Sequence, residues 1–120
     1  RAELVASRLA ELAALDDGAF RRLFAGSPIK RIGRDRFVRN VMIALGNSGA
    51  RDAAPVVIER LRDASPLVRA MAVWALGRLI DPAAFSALRE THAAHEADAE
   101  VRGEWAAMEP AGSGDRPCGD

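Results

Sequence analysis

"FVRNVMIALG" (37–46) and "VRAMAVWALG" (68–77) align without a gap 31 residues apart, and both close on Ala-Leu-Gly. "VRGEWAAMEP" (101–110) follows 33 residues later. The first, fifth, eighth and ninth positions of the first two blocks are apolar: Phe37, Val41, Ala44 and Leu45, then Val68, Ala72, Ala75 and Leu76. Val101, Trp105 and Met108 hold the first, fifth and eighth positions of the third. A spacing of i, i+4, i+7, i+8 puts these side chains on one face of a helix. A second motif alternates with the first. "PVVIERL" (55–61) matches "PAAFSAL" (82–88), each with a proline at the first helical turn, where its missing N–H costs nothing. Helix pairs recurring about every 30 residues predict an all-α protein, an α-solenoid whose pairs bury their faces only against their neighbours. Leu45 and Leu76 are expected in its core.

The period and the "VR…ALG" signature resemble short HEAT-like repeats, with two full units and part of a third. Ahead of them, "ELVASRLAELAAL" (3–15) consists of good helix formers, with Leu4, Val5, Leu9, Leu12 and Leu15 at roughly helical spacing. "LDDGAF" (15–20) then offers Asp16 or Asp17 as N-cap of a short helix over 19–24. "AGSP" (25–28) stops it, since Gly26 suits a C-terminal cap and Pro28 cannot continue the helix. Roughly six or seven helices are expected in all. Residues 1–108 read as one repeat domain, with capping helices and a basic segment at 1–33 and the repeats at 34–108. The tail, "EPAGSGDRPCGD" (109–120), is rich in Gly, Pro and acid and is expected to be disordered.

The 120 residues suffice for one modest core, and 49% apolar with 28% charged residues is a globular composition. Aromatics are only 5%, with no tyrosine, which favours close helix packing over a sheet. The chain begins at Arg1, within the first helical pattern and without an initiator Met, so a piece of a longer protein is expected. No apolar run approaches the roughly 20 residues of a membrane span, and no signal-peptide pattern occurs. Cys118 is the single cysteine, which excludes an internal disulfide or a cysteine-held cluster within this chain. A cytoplasmic setting is expected.

The net charge of zero conceals an asymmetry: seven basic residues and one acidic between Arg21 and Arg39, against eight acidic and two basic from Glu90 onward. Repetition separates what the scaffold needs from what it does not. Arg69 and Arg102 recur at the second position of their blocks and are expected in packing or inter-repeat ion pairs. Arg39 and Asn40 stand where the second block has Ala70 and Met71, so the fold does not require them. Lys30 to Arg36 lie ahead of the first repeat with no counterpart. The stretch "GSPIKRIGRDRFVRN" (26–40) therefore reads either as a solvated basic surface or as a polyanion site. Arg forks pair with phosphate oxygens, and Ser hydroxyls, glycine N–H groups and the start of the helix at Arg34 would add donors. Phe24 and Phe37 are the only aromatics nearby and look like core, so base-specific reading is not expected.

Other candidates are weaker. His92 and His95, with Glu96 and Asp98, lie one turn apart; these residue types suit a metal but equally suit solvent, and no metal site is assigned. Trp74 falls outside the core positions of its block and is expected to pack on the next helix pair. No nucleophile–base pairing, glycine-rich nucleotide loop or P-loop occurs, so no catalytic residue is assigned.

At "FRRLFAGSPIKRIGRDRFVRNVMIALGNSG" (20–49) the sequence resembles the C-terminal region of the epoxyqueuosine reductase family. Beyond residue 49 the likeness is that of any HEAT-like repeat. The resemblance implies a parent oxidoreductase that reduces epoxyqueuosine to queuosine at the wobble position of tRNA, with cobalamin and two [4Fe–4S] clusters. It implies that those cofactors belong to catalytic and ferredoxin-like domains, since the cysteine runs that hold the clusters are absent here and this chain carries none itself. This chain would then be a non-catalytic, monomeric domain that grips tRNA. Ser27, Lys30, Arg31, Arg34, Arg39 and Asn40 fall on the family's motif; Arg36 is basic beside it and is added to the expected tRNA-binding set. The competing reading is a protein-binding scaffold whose basic segment docks an acidic partner or another domain of the parent chain.

Overall fold

The computed structural model describes residues 2–107. The expected tail at 109–120, with Cys118, and the third-block residue Met108 lie outside the described residues. Among those described, every regular element is helical: α1 (Ala2–Ala13), α2 (Asp17–Leu23), α3 (Arg34–Ser48), α4 (Ala54–Arg60), α5 (Pro66–Leu79), α6 (Pro82–His92) and α7 (Ala99–Ala107). Short 3₁₀ turns cover Pro28–Ile32, Arg51–Ala53 and Ala93–His95.

Helix starts follow local chemistry. Asp16, Ser65 and Asp81 each accept a hydrogen bond from the backbone N–H three residues on, at Ala19, Val68 and Ala84, satisfying donors that the helix leaves open. Of the two candidate caps before α2, Asp16 is the one used, while Asp17 pairs with Arg21 one turn along at 2.9 Å. Pro55, Pro66 and Pro82 occupy first turns. Gly49, at φ 71°, closes α3 in the left-handed conformation that suits glycine.

One layer runs α1, α3, α5, α7, each packed on the next; α4 lies against α5 and α1, and α6 against α5. This is the stacked helix-pair solenoid that the repeat predicts. Leu45 and Leu76 are wholly buried, as are Val68, Ala72 and Ala75, with Val101 and Trp105 nearly so. The buried stripe of α3 is wider than the block pattern implies, because α1 covers one flank and α5 the other. Val38 and Met42 are therefore fully buried, while Phe37 is only half-buried. Trp74 also departs from expectation. It packs back on α3, over Gly46, rather than forward on the next pair, and Arg78 lies over its ring at 5.2 Å while donating from Nε to the Gly46 carbonyl.

Gly46 is required by that close crossing. A Cβ there would stand 2.6 Å from Cζ3 of Trp74 and 3.1 Å from the Ala75 Cα, which is main chain and cannot step aside. Overpacking of this kind costs about 1–3 kcal/mol, more than the roughly 1 kcal/mol that alanine gains over glycine inside a helix. Gly46→Ala should therefore lower the thermal midpoint; a melt equal to or above the parent's would mean that α3 and α5 do not cross at this point.

Among the described residues no helix is long and apolar enough to cross a membrane.

Candidate nucleic-acid interface

The basic segment is held in place by three devices. Phe20 on α2, Phe24 at its C-cap and Phe37 on α3 form a triangle of tilted rings with centroids 5.0, 5.4 and 5.0 Å apart, an arrangement aromatic rings favour. This fixes α2 against α3, and confirms both Phe24 and Phe37 as packing residues. Two glycines with positive φ, Gly26 at 78° and Gly33 at 85°, then bracket the intervening turn. Within it, the Ser27 hydroxyl accepts from the Ile29 N–H at 3.2 Å and caps the 3₁₀ turn Pro28–Ile32. Ser27 keeps its own O–H to donate.

On this frame Lys30, Arg31 and Arg36 are exposed and form no ion pair among the described residues. Arg39 is half-buried; its Nη2 donates to the Asn40 side-chain oxygen at 3.2 Å, and its Nε is buried without a partner. The Asn40 amide nitrogen is thereby turned away from Arg39. The start of α3 is less open to an anion than the sequence suggests. No side chain caps it, but Asp17 and Asp35 both line the shallow depression in front of it.

Arg34 corrects the sequence reading. Its guanidinium grips the Asp63 carboxylate through both oxygens, Nη2 to Oδ1 at 2.7 Å and Nη1 to Oδ2 at 2.9 Å. Its Nε donates to the Leu15 carbonyl at 2.8 Å, and Nη1 also reaches Asp35 at 3.1 Å. Only 10% of the Arg34 side chain and 3% of that of Asp63 are exposed. Four of its five N–H groups are thus engaged, and only one Nη2–H is left, too little for a fork onto a phosphate. The hydrogen bonds that Arg34 donates to Asp63 raise its already high pKa against the opposing effect of burial. Burial alone would raise the Asp63 carboxyl, but hydrogen bonds from Arg34 and the Ser65 N–H, with the charges of Arg34 and Arg60, together hold it below its ordinary value.

The same device recurs one repeat later, so Arg34 does have a counterpart. Arg69 forks onto Glu96 at 3.0 and 2.9 Å and reaches back to the Asp63 carbonyl at 2.8 Å. Glu96 in turn accepts from the Asp98 N–H, as Asp63 accepts from that of Ser65. The hydrogen bond from Arg69 is the main reason that the Glu96 carboxyl lies below its usual range. Arg102 continues the series with bonds to the Glu96 and Ala97 carbonyls at 3.0 and 2.6 Å. Each arginine ties its helix to a turn between helix pairs. Alignment on Ala-Leu-Gly hides the match, because Arg34 is the first residue of α3 and Arg69 the fourth of α5.

The acids next to the histidines in sequence are engaged elsewhere. Glu96 is engaged by Arg69, and Asp98 caps α7 by accepting from the Glu100 and Val101 N–H groups. Among the described residues no group of three or more His, Cys, Asp or Glu is placed to hold a metal ion. His92 instead stacks on Trp105, with ring centroids 6.3 Å apart and planes 11° apart.

Residues 35–108 match the family of HEAT repeats. The chain is also similar to curated epoxyqueuosine reductases. It is 42% identical over 86 residues to that of Alicycliphilus denitrificans, covering 65% of this chain and 24% of the relative. With the Xanthomonas campestris protein it shares 39% over 79 residues, covering 65% and 22%, and with that of Escherichia coli 33% over 81 residues, covering 68% and 21%. The chain thus spans less than a quarter of the length of these relatives. No solved structure matches it.

Proposed function

Starting from a chain that belongs to the HEAT-repeat family, we propose that it is the non-catalytic, tRNA-gripping C-terminal domain of an epoxyqueuosine reductase acting in the cytoplasm. The observation that carries the reading is the pinned turn on which Lys30 and Arg31, with Arg36 beside them at the start of α3, stand exposed and without ion-pair partners among the described residues. Fixed cations of this kind suit phosphates, which position a nucleic acid without reading its sequence. Lys30, Arg31, Arg36 and Arg39 supply charge, Ser27 and Asn40 supply hydrogen bonds, and Arg34 holds the turn rather than touching RNA. Reduction of epoxyqueuosine would fall to the catalytic and ferredoxin-like domains of the parent chain, working as a monomer. Cobalamin and the iron–sulfur clusters would belong to those domains, and no step is assigned to them in this chain.

The test is tRNA binding by the full-length protein across a salt series. Four neutralised phosphates give a log–log slope of about −3 to −4 for duplex-like RNA. A variant with alanine at residues 30, 31, 36 and 39 should lose most of that slope, and each single change about 1 of it, for all tRNAs alike. Unchanged slope and affinity in the quadruple variant would sink the grip. A second reading would then take over, favoured by Leu23, Ile29 and Ile32, which are exposed apolar residues beside the cations. In that reading the segment docks an acidic partner or another domain of the parent, and the variant loosens that contact without affecting RNA.

A further inference from the structure

A cleft of about 460 Å³ lies between the turn after α4, the end of α6 with its 3₁₀ turn, and α7. Arg62, Thr91, His92 and His95 line it around the buried Trp105. We propose that this cleft is a binding site for a phosphate-type oxyanion, held by the Arg62 guanidinium and the two imidazoles.

The chemistry of the lining supports that ligand class. Two carboxylates face the cleft, but each is already answered: Asp63 by Arg34 and Arg60, Glu96 by Arg69. Arg69 is likewise committed to Glu96. What remains unanswered is positive or able to become so. Arg62 is exposed and forms no ion pair among the described residues, and the α7 side of the cleft contributes only Val101 and Trp105. Burial, and then the nearby Arg62 and His95, hold His92 below the usual histidine range. An anion between these groups reverses both charge effects, so binding and proton uptake favour each other. The stack of His92 on Trp105 keeps the imidazole in place before any ligand arrives. A volume of this size also admits the sugar that carries a phosphate. Because Asp63 lines the cleft and anchors Arg34, the site and the basic turn stand on either side of one ion pair. An RNA strand crossing that pair could supply the oxyanion, a source that rests on the tRNA-grip reading; free phosphate could supply it independently of that reading.

The test follows histidine ring signals of the full-length protein by NMR from pH ~5 to ~8, the range in which imidazoles titrate. His92 is identified by the signal lost in His92→Gln. Inorganic phosphate should shift the His92 signal and move its midpoint upward, each unit of that shift corresponding to about tenfold tighter binding to the protonated than to the neutral imidazole. Arg62→Gln, at an exposed position, should abolish the response. A shift with an unmodified tRNA transcript but not with phosphate would identify the RNA backbone as the source, and a shift with phosphate alone would identify the free anion. If neither moves His92, or if the response survives Arg62→Gln, the proposal is overturned. The alanine variant at residues 30, 31, 36 and 39 separates the two readings. Unchanged tRNA binding by that variant, alongside a phosphate response at His92, would remove the grip and leave the oxyanion site standing.

Discussion

Asp63→Ala should cost this domain about 3–5 kcal/mol, because removing one partner of a buried ion pair leaves the other charge uncompensated. Asp63 accepts from Arg34, Arg60 and the Ser65 N–H, and its side chain is only 3% exposed, so solvent replaces little of what the carboxylate does. Arg34 would then sit 10% exposed with only Leu15 and Asp35 to answer it. Against a total of about 5–15 kcal/mol for a typical domain, a loss of that size threatens folding. The same pair sets an acid limit. A carboxyl depressed in the folded state contributes stability that is fully present above its unfolded pKa, ordinarily 3.8 for Asp63, and that is lost as pH falls through the lower folded value. Glu96 acts in the same direction from an ordinary value of 4.5. The thermal midpoint should therefore hold steady above the ordinary histidine value of 6.5, begin to fall below it because His92 is depressed in the folded state, and fall further below the two carboxylate values, less steeply there in Asp63→Ala. A variant that melts like the parent would show that the arginine fork does not hold the turn. The consequence reaches function, because loss of tRNA binding in Arg34→Ala would report a released turn and not a lost phosphate contact.

Leu76→Ala should cost about 2–5 kcal/mol, the range for emptying a leucine site in a packed core. Leu76 is fully buried on α5, the helix that packs on α3, α4, α6 and α7 at once, so little can collapse into the space without disturbing several helices. For a domain of this size that loss corresponds to a fall of roughly 10 °C or more in thermal midpoint. Leu4→Ala is the control: Leu4 is 60% exposed, and a surface change of that kind stays within about 0.5 kcal/mol. A Leu76→Ala melt no different from the control would mean that the repeat register places the wrong face inward.

Helix identity was legible because it is local chemistry. Caps at Asp16, Ser65 and Asp81, prolines in first turns, and apolar spacing within single helices all act over a few residues. The glycine-bracketed turn that presents Lys30 and Arg31 is local in the same sense, and its exposed cations stand where "GSPIKRIGRDRFVRN" suggests. The fate of Arg34 was not legible. Its neighbour in sequence, Asp35, holds it through one nitrogen at 3.1 Å, while its bidentate partner lies 29 residues away. Val38, Trp74 and His92 were misjudged or passed over for the same reason: what covers each of them belongs to another helix. Periodicity determines which face of a helix is apolar, since that follows from backbone geometry within one segment. Which cation is left for a ligand depends on how successive pairs stack, because an acid 29 residues away becomes a partner only when packing brings its turn alongside.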